Sequence, residues 1–285
     1  MSIRKITHAL TLSILFLSLP VMLSAEIKHL LGGVSDDAGV ELLDGVSEDQ
    51  VRKASEGTKS AKEIAKELAN PNTSLASLVF KNQYRTFTGD LPDANDQTST
   101  ITLFQPVFPF RLESGDQIIW RPAIPIIWDS PSGRNFRSES GIGDFSFDLV
   151  YAPKSVDHIV TAIGIVSTWS TATNSNLGID KWTVGPDFLY GKVTDEYVFG
   201  MHPAHQWSVA GSKNAKDISM SSSQFFALSL FGDGWLFGTN PTITYDWNEA
   251  QWEIPLNVIL SKTMVIDKRP WKFGVEVNYL SLIHI

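Results

Sequence analysis

Cysteine is absent from the 285 residues, which excludes a disulfide framework, a thiolate metal site and a cysteine nucleophile. Charge is also scarce. Charged residues make up 19% of the chain, against about 25% in ordinary soluble domains. Lysine and arginine number 23 against 31 aspartates and glutamates, a net charge of −8. No basic footprint exists, so a nucleic-acid partner is not expected. Beyond the first 25 residues no apolar run approaches the roughly 18 residues that a transmembrane helix needs. The spacings of a P-loop, an HExxH zinc helix, an EF-hand loop and a nucleophile elbow are missing as well. Neither a cofactor nor a metal is expected from them.

What is present begins with a targeting pattern. Arg4 and Lys5 precede a mostly apolar stretch over residues 6–19, Pro20 breaks it, and Leu23-Ser24-Ala25 offers a small residue before Glu26. Residues 1–25 therefore read as a cleaved secretion signal. An exported chain without a further apolar helix can span a membrane only as a closed barrel.

Residues 26–46 are rich in Gly and Asp and have no clear period. Ser47 and Gln50 then form a capping-box pair, followed by Val51, Ala54, Thr58, Ala61, Ala65 and Leu68 at helical spacing. Asn70-Pro71-Asn72 ends that pattern. The helix is weakly apolar, so residues 26–70 are expected either to lie in the periplasm or to lodge in a barrel mouth.

From Leu75 the period changes to two. Phe145, Phe147, Leu149 and Tyr151 alternate with Asp144, Ser146 and Asp148. Trp182, Val184, Pro186, Phe188 and Tyr190 alternate with Thr183, Gly185 and Asp187, and Trp271, Phe273, Val275, Val277 and Tyr279 with Lys272, Gly274, Glu276 and Asn278. Nine tryptophans, sixteen phenylalanines and six tyrosines gather toward the ends of the apolar face, as in the aromatic girdles of an outer-membrane barrel. A soluble sandwich would have no reason to place rings at strand ends. Eleven strands are predicted near 75–86, 99–108, 117–128, 142–152, 158–169, 181–191, 196–209, 220–231, 234–247, 251–262 and 271–279. Connections alternate between tight turns and longer polar loops, the usual periplasmic and extracellular ends.

The expected fold is thus all-β: an antiparallel transmembrane barrel over 71–279, of about twelve strands, with a short N-terminal helix. Bacterial barrels have even strand counts, so the last strand is expected to be missing and a seam to open between Leu78 and Val275. Residues 280–285 read as a non-native tail, a translation of a transposon-end sequence used in sequencing adapters. The expected location is the Gram-negative outer membrane, with outer-membrane lipid, the barrel-assembly machinery and a small-molecule solute as partners.

Several short stretches carry a family resemblance: Ala69-Asn70-Pro71, Gln105-Pro106-Val107-Phe108-Pro109, Arg121-Pro122-Ala123-Ile124-Pro125, Gly141-Ile142-Gly143-Asp144, Trp182-Thr183-Val184-Gly185-Pro186, His205-Gln206-Trp207, Gly238-Thr239-Asn240-Pro241 and Glu276-Val277-Asn278-Tyr279. In this order, over about 69–279, they resemble the outer-membrane barrels labelled as transporters of the meta-pathway of phenol degradation (a neuromedin-U-like label is attached to some). The resemblance implies a barrel of about twelve strands that passes small aromatic or hydrophobic molecules. The long region before Asn70 and the missing last strand depart from it.

If the aromatic face meets lipid, the polar face lines the lumen. It would carry Lys81, Arg85, Arg121, Asp144, Asp148, Asp187, Asp246, Glu253, Lys272 and Glu276. Two readings stay open: these charges brace a narrow barrel by pairing, or they line a hydrated pore and set its selectivity. Pro106, Pro122, Pro125, Pro186, Pro203, Pro241 and Pro255 fall inside strand patterns and should mark bulges or kinks. Such kinks either curve the wall or open a lateral path. A closed structural or surface-interaction barrel is the alternative to transport. An outer-membrane lipid hydrolase is a third reading, with His158, His202 or His205 and serines of 210–223 as candidates. His202 and His205 have opposite strand parity and cannot face one site, so no catalytic residue is assigned.

Overall fold

The computed structural model describes residues 7–18, 59–89, 97–132, 137–267 and 269–284. One antiparallel sheet closes on itself. Its staves are β1 (Thr7–Ser18), β2 (Leu78–Gly89), β3 (Thr98–Phe104) with β4 (Phe108–Arg111), β5 (Gln117–Ser132), β6 (Arg137–Ile142) with β7 (Phe145–Ala152), β8 (Ile159–Trp169), β9 (Lys181–Val193), β10 (Tyr197–Gly211), β11 (Ser219–Phe231), β12 (Trp235–Thr239) with β13 (Thr242–Asp246), β14 (Gln251–Ile266) and β15 (Arg269–His284). The pairing of β10 with β11 completes the ring. Twelve staves result, as a bacterial barrel requires.

The strands from β2 onward fall where the alternation puts them. Lys181, Thr183, Gly185, Asp187 and Leu189 of β9 are buried, while Trp182, Phe188 and Tyr190 are exposed. Outward rings form two belts. Tyr151, Tyr190, Tyr197, Phe231 and Trp235 lie toward the short turns, and Trp128, Trp169, Trp182, Trp207, Trp247 and Trp252 toward the longer loops. Ile163, Ile165, Leu256, Val258, Val275 and Val277 fill the exposed band between them.

Closure departs from the sequence reading. The seam expected between β2 and β15 is occupied by β1, which pairs from Thr7↔Gly89 to Ser18↔Leu78 on one side and from His8↔Ser281 to Ser18↔Trp271 on the other. The apolar stretch read as a leader also has a period of two: Ala9, Thr11 and Ser13 alternate with Leu10, Leu12 and Ile14. Thr11 is buried and Leu12 is 41% exposed, which suits a stave with a lumen side and an outer side. β15 likewise runs on to His284, through most of the segment read as a tail.

The helical run expected from Ser47 to Leu68 is interrupted before Ala61. Lys59 and Ser60 are not helical, and α1 spans Ala61–Ala69. Its cap is Ser60, whose hydroxyl accepts from the Glu63 amide while the Glu63 carboxylate accepts from the Ser60 amide at 2.7 Å. The Ser47–Gln50 pair lies outside the described residues. Ser60-x-x-Glu63 satisfies two free amide donors at once.

The prolines act at several of the expected places. Pro106 falls in the break between β3 and β4, and Pro241 in the break between β12 and β13. Around Pro122 and Pro125, β5 changes partners from β4 and β7 to β3 and β6. Between Met201↔Tyr190 and Trp207↔Val184 the β9–β10 ladder keeps only Ala204↔Asp187, with Pro186 and Pro203 inside the gap. Pro255 sits in an unbroken ladder with β15, opposite Leu280, while the other edge of β14 has no pair from Ile254 to Val258.

Candidate functional site in the lumen

The lumen has an apolar end and a polar middle. Near the short turns the inward positions are Ile119, Val150, Val160, Leu189, Val198, Leu230, Leu236 and Ile259, all buried. They form a collar around α1, whose Ala65 is 1% exposed and whose Ile64 is 7% exposed. Gly234, at φ +81°, lets the helix start come close: a Cβ there would lie 3.3 Å from Ala61 Cβ and 2.5 Å from the Thr263 carbonyl. A side chain would clash as well as strain the backbone. Of residues 26–70, the described helix Ala61–Ala69 sits in the barrel mouth.

A salt bridge pins α1 to the turn between β9 and β10: Lys66 Nζ lies 2.5 Å from Asp195 Oδ1. The Lys66 hydrogen bond, and then its charge, hold the Asp195 carboxyl below its ordinary range. A carboxyl whose folded pKa is depressed contributes stability above its unfolded value, and loses it as pH falls through the folded value. The latch should therefore hold from neutral pH to about 4 and release below it. A spin label on Lys62→Cys, at an exposed helix position in a cysteine-free chain, should stay immobile over that range and gain mobility in stronger acid. Asp195→Asn should be mobile already at pH 7. A label indifferent to both changes would show that the collar alone holds the helix.

Past α1 the chain crosses the lumen before entering β2. Asn72 Nδ2 donates to the Thr161 carbonyl at 2.9 Å, and Arg121 Nη1 donates to the Pro71 carbonyl at 3.1 Å. Glu67 Oε1 accepts from the Ser74 amide and hydroxyl at 2.7 and 2.9 Å. Asn70-Pro71 thus supplies rigid backbone that the wall can grip with side chains.

Above this crossing lies a cavity of about 300 Å³, lined by Asn70, Pro71, Lys81, Gln105, Arg121, Asp148, His202, Gln224, Asn240, Lys272 and Glu276 among others. Arg121 Nε and Nη2 meet Asp148 Oδ2 at 2.6 and 2.5 Å. Lys81 Nζ lies 3.1 Å from Glu276 Oε2, and Glu276 Oε1 accepts from Asn257 and Asn278. His202 Nε2 lies 2.6 Å from Asp187 Oδ1. Five of the ten residues read from the sequence therefore share one cavity, and Asp187 stands directly behind its wall.

The other four are placed differently. Asp144 accepts from the amides of Thr171, Ala172 and Ile179 and so folds the 170–180 loop. Asp246 accepts from the amides of Asn248 and Glu249 in the β13–β14 turn. The Arg85 guanidinium donates to Gln83 at 2.8 Å and stands within electrostatic reach of Glu253. Sequence reading did not assign Asn257, Gln224 or Asn240 to the lumen site. Asn257 bridges Glu276, Asn278 and the Asn240 amide. Its only signal was a polar residue on the lumen parity of β14.

The histidines separate as their parity requires. His202 lines the lumen, while His205 lines a pocket on the outer wall. His205 Nδ1 is 2.7 Å from Ser221 Oγ, but its Nε2 has only Ser219 Oγ at 3.5 Å. A serine base needs a group that orients its far nitrogen, and no carboxylate does so here among the described residues.

Fold and site together define a closed, twelve-stranded antiparallel barrel whose mouth holds a short helix and whose middle is braced by ion pairs. It is similar to the crystal structure of an outer membrane channel from Pseudomonas putida F1, with a TM-score of 0.50 over 99% of this chain and 97% of that one, at 10% sequence identity. At that identity the likeness establishes the fold. No protein-family model matches the chain, and no curated protein matches it.

Proposed function

We propose that this chain is an outer-membrane channel for small hydrophobic solutes, aromatic ones included, exported and then inserted by the barrel-assembly machinery. The outward apolar band between two belts of rings supports the membrane placement. The observation that carries the solute class is the thinned β9–β10 ladder. Outside it lies a pocket of about 770 Å³ lined by Pro186, Phe188, Pro203, Phe225, Tyr245, Trp247 and Trp252. Inside it lies the cavity that His202 helps line. An apolar solute could pass between them where the β9–β10 ladder loses most of its backbone pairing. The lumen charges would then brace the staves and exclude apolar solutes from the axial route.

A closed structural barrel is the second reading, favoured by the helix seated in the collar. Uptake separates the two. Cells lacking the protein should take up a phenolic compound several-fold faster once it is restored, and Ser223→Trp, which fills the outer pocket, should return uptake to background. Equal uptake with and without the barrel would establish the closed scaffold.

A further inference from the structure

Three groups meet on the inner wall behind the thinned ladder. Asp148 of β7, Asp187 of β9 and His202 of β10 each offer one donor atom, and these atoms lie within 4.8 Å of one another. The strand between the two aspartates is β8, and the residue it presents there is Gly164, the partner of Asp187. Asp148 faces Val166 of the same strand, so the two aspartates meet on a diagonal across β8.

Asp187 supplies the decisive detail. It is 1% exposed, and although its Oδ1 faces His202, its Oδ2 has neither a hydrogen bond nor an ion pair. A bare carboxylate oxygen in such a setting costs free energy unless a partner reaches it. Asp148 is held from the far side by Arg121 through Oδ2, which fixes its orientation and leaves Oδ1 to donate. An outer partner that orients a ligating carboxylate is a usual feature of metal sites.

We propose that Asp148, Asp187 and His202 bind a divalent first-row transition ion of the zinc class on the lumen wall. One imidazole nitrogen and two carboxylate oxygens suit such an ion, whereas calcium and magnesium favour oxygen-only sets. Zinc–nitrogen and zinc–oxygen distances of about 2.0–2.2 Å put tetrahedral donors roughly 3.4 Å apart. Small side-chain rotations bring the three donors to that spacing, with water as the fourth ligand.

The experiment uses the full chain refolded in detergent, stripped with a chelator and titrated with zinc chloride. Bound zinc is measured by elemental analysis after gel filtration and by calorimetry. Wild type should bind one ion per barrel. Asp187→Asn and His202→Gln should each weaken binding by at least about 100-fold, since each removes a donor, while Arg121→Lys should weaken it less. Cobalt should give the intense visible bands of a tetrahedral site in wild type and lose them in His202→Gln. Heat-modifiable gel mobility identifies the variants that fold, and either donor variant alone decides the matter. Zinc uptake that both substitutions leave unchanged, or no uptake by wild type, overturns the assignment. Ion binding is read without any solute, so its result is independent of the uptake test.

Discussion

Replacing Arg121 with methionine should destabilise the barrel by about 3–5 kcal/mol, the usual cost of stranding one partner of a buried ion pair. Arg121 and Asp148 side chains are 12% and 13% exposed, so water can solvate little of the carboxylate left behind. The same guanidinium donates to the Pro71 carbonyl, and its loss also loosens the chain crossing the lumen. Urea titration of the protein refolded into lipid vesicles would measure the change. Arg121→Met with Asp148→Leu should recover most of the loss, because the stranded charge goes with its partner. If the single variant were as stable as wild type, the pair would not brace the wall.

Ala65→Asp should drive α1 out of the barrel mouth. Ala65 is 1% exposed and packs in the collar with Val198, Leu230, Leu236 and Ile259. A carboxylate there has no partner, and burying one costs several kcal/mol. Releasing a nine-residue helix costs less, since so short a helix draws its stability from packing. Single-channel recordings in planar bilayers should then show a several-fold rise in conductance over wild type, with gel mobility confirming an intact barrel. An unchanged conductance in a folded variant would mean that α1 does not limit the axial opening.

The staves from β2 to β15 were legible because alternation records two surroundings, an apolar outer face and a polar lumen, and Asp187 or Glu276 can belong only to the second. Closure was not legible. The stretch around Leu10 and Ile14 fits both an apolar leader and a period of two, and local pattern does not choose between them. The helix start was ambiguous for a similar reason: Ser47 and Ser60 both have a partner three residues on. The site was half readable. Parity put Lys81, Arg121, Asp148, Lys272 and Glu276 on one face, but which of them meet depends on stagger between staves, so Arg121–Asp148 and Lys81–Glu276 emerge only in three dimensions. The collar escaped because Val150, Val160 and Leu236 share the parity of the lumen charges. Its trace in the sequence is a pair of adjacent apolar residues beside a short turn, as in Ile118-Ile119 and Ile159-Val160.

The wall is also mechanically uneven. β14 and β15 are laced without interruption from Gln251↔His284 to Ile266↔Arg269, whereas β9 and β10 are joined only sparsely around Pro186 and Pro203. A cylinder so constructed deforms first where its staves are least stitched, so a lateral load will concentrate at such joints. Shear between staves is resisted between β14 and β15 and relieved between β9 and β10 and where β12 gives way to β13 beside β14, making the barrel a stiff hoop with compliant joints.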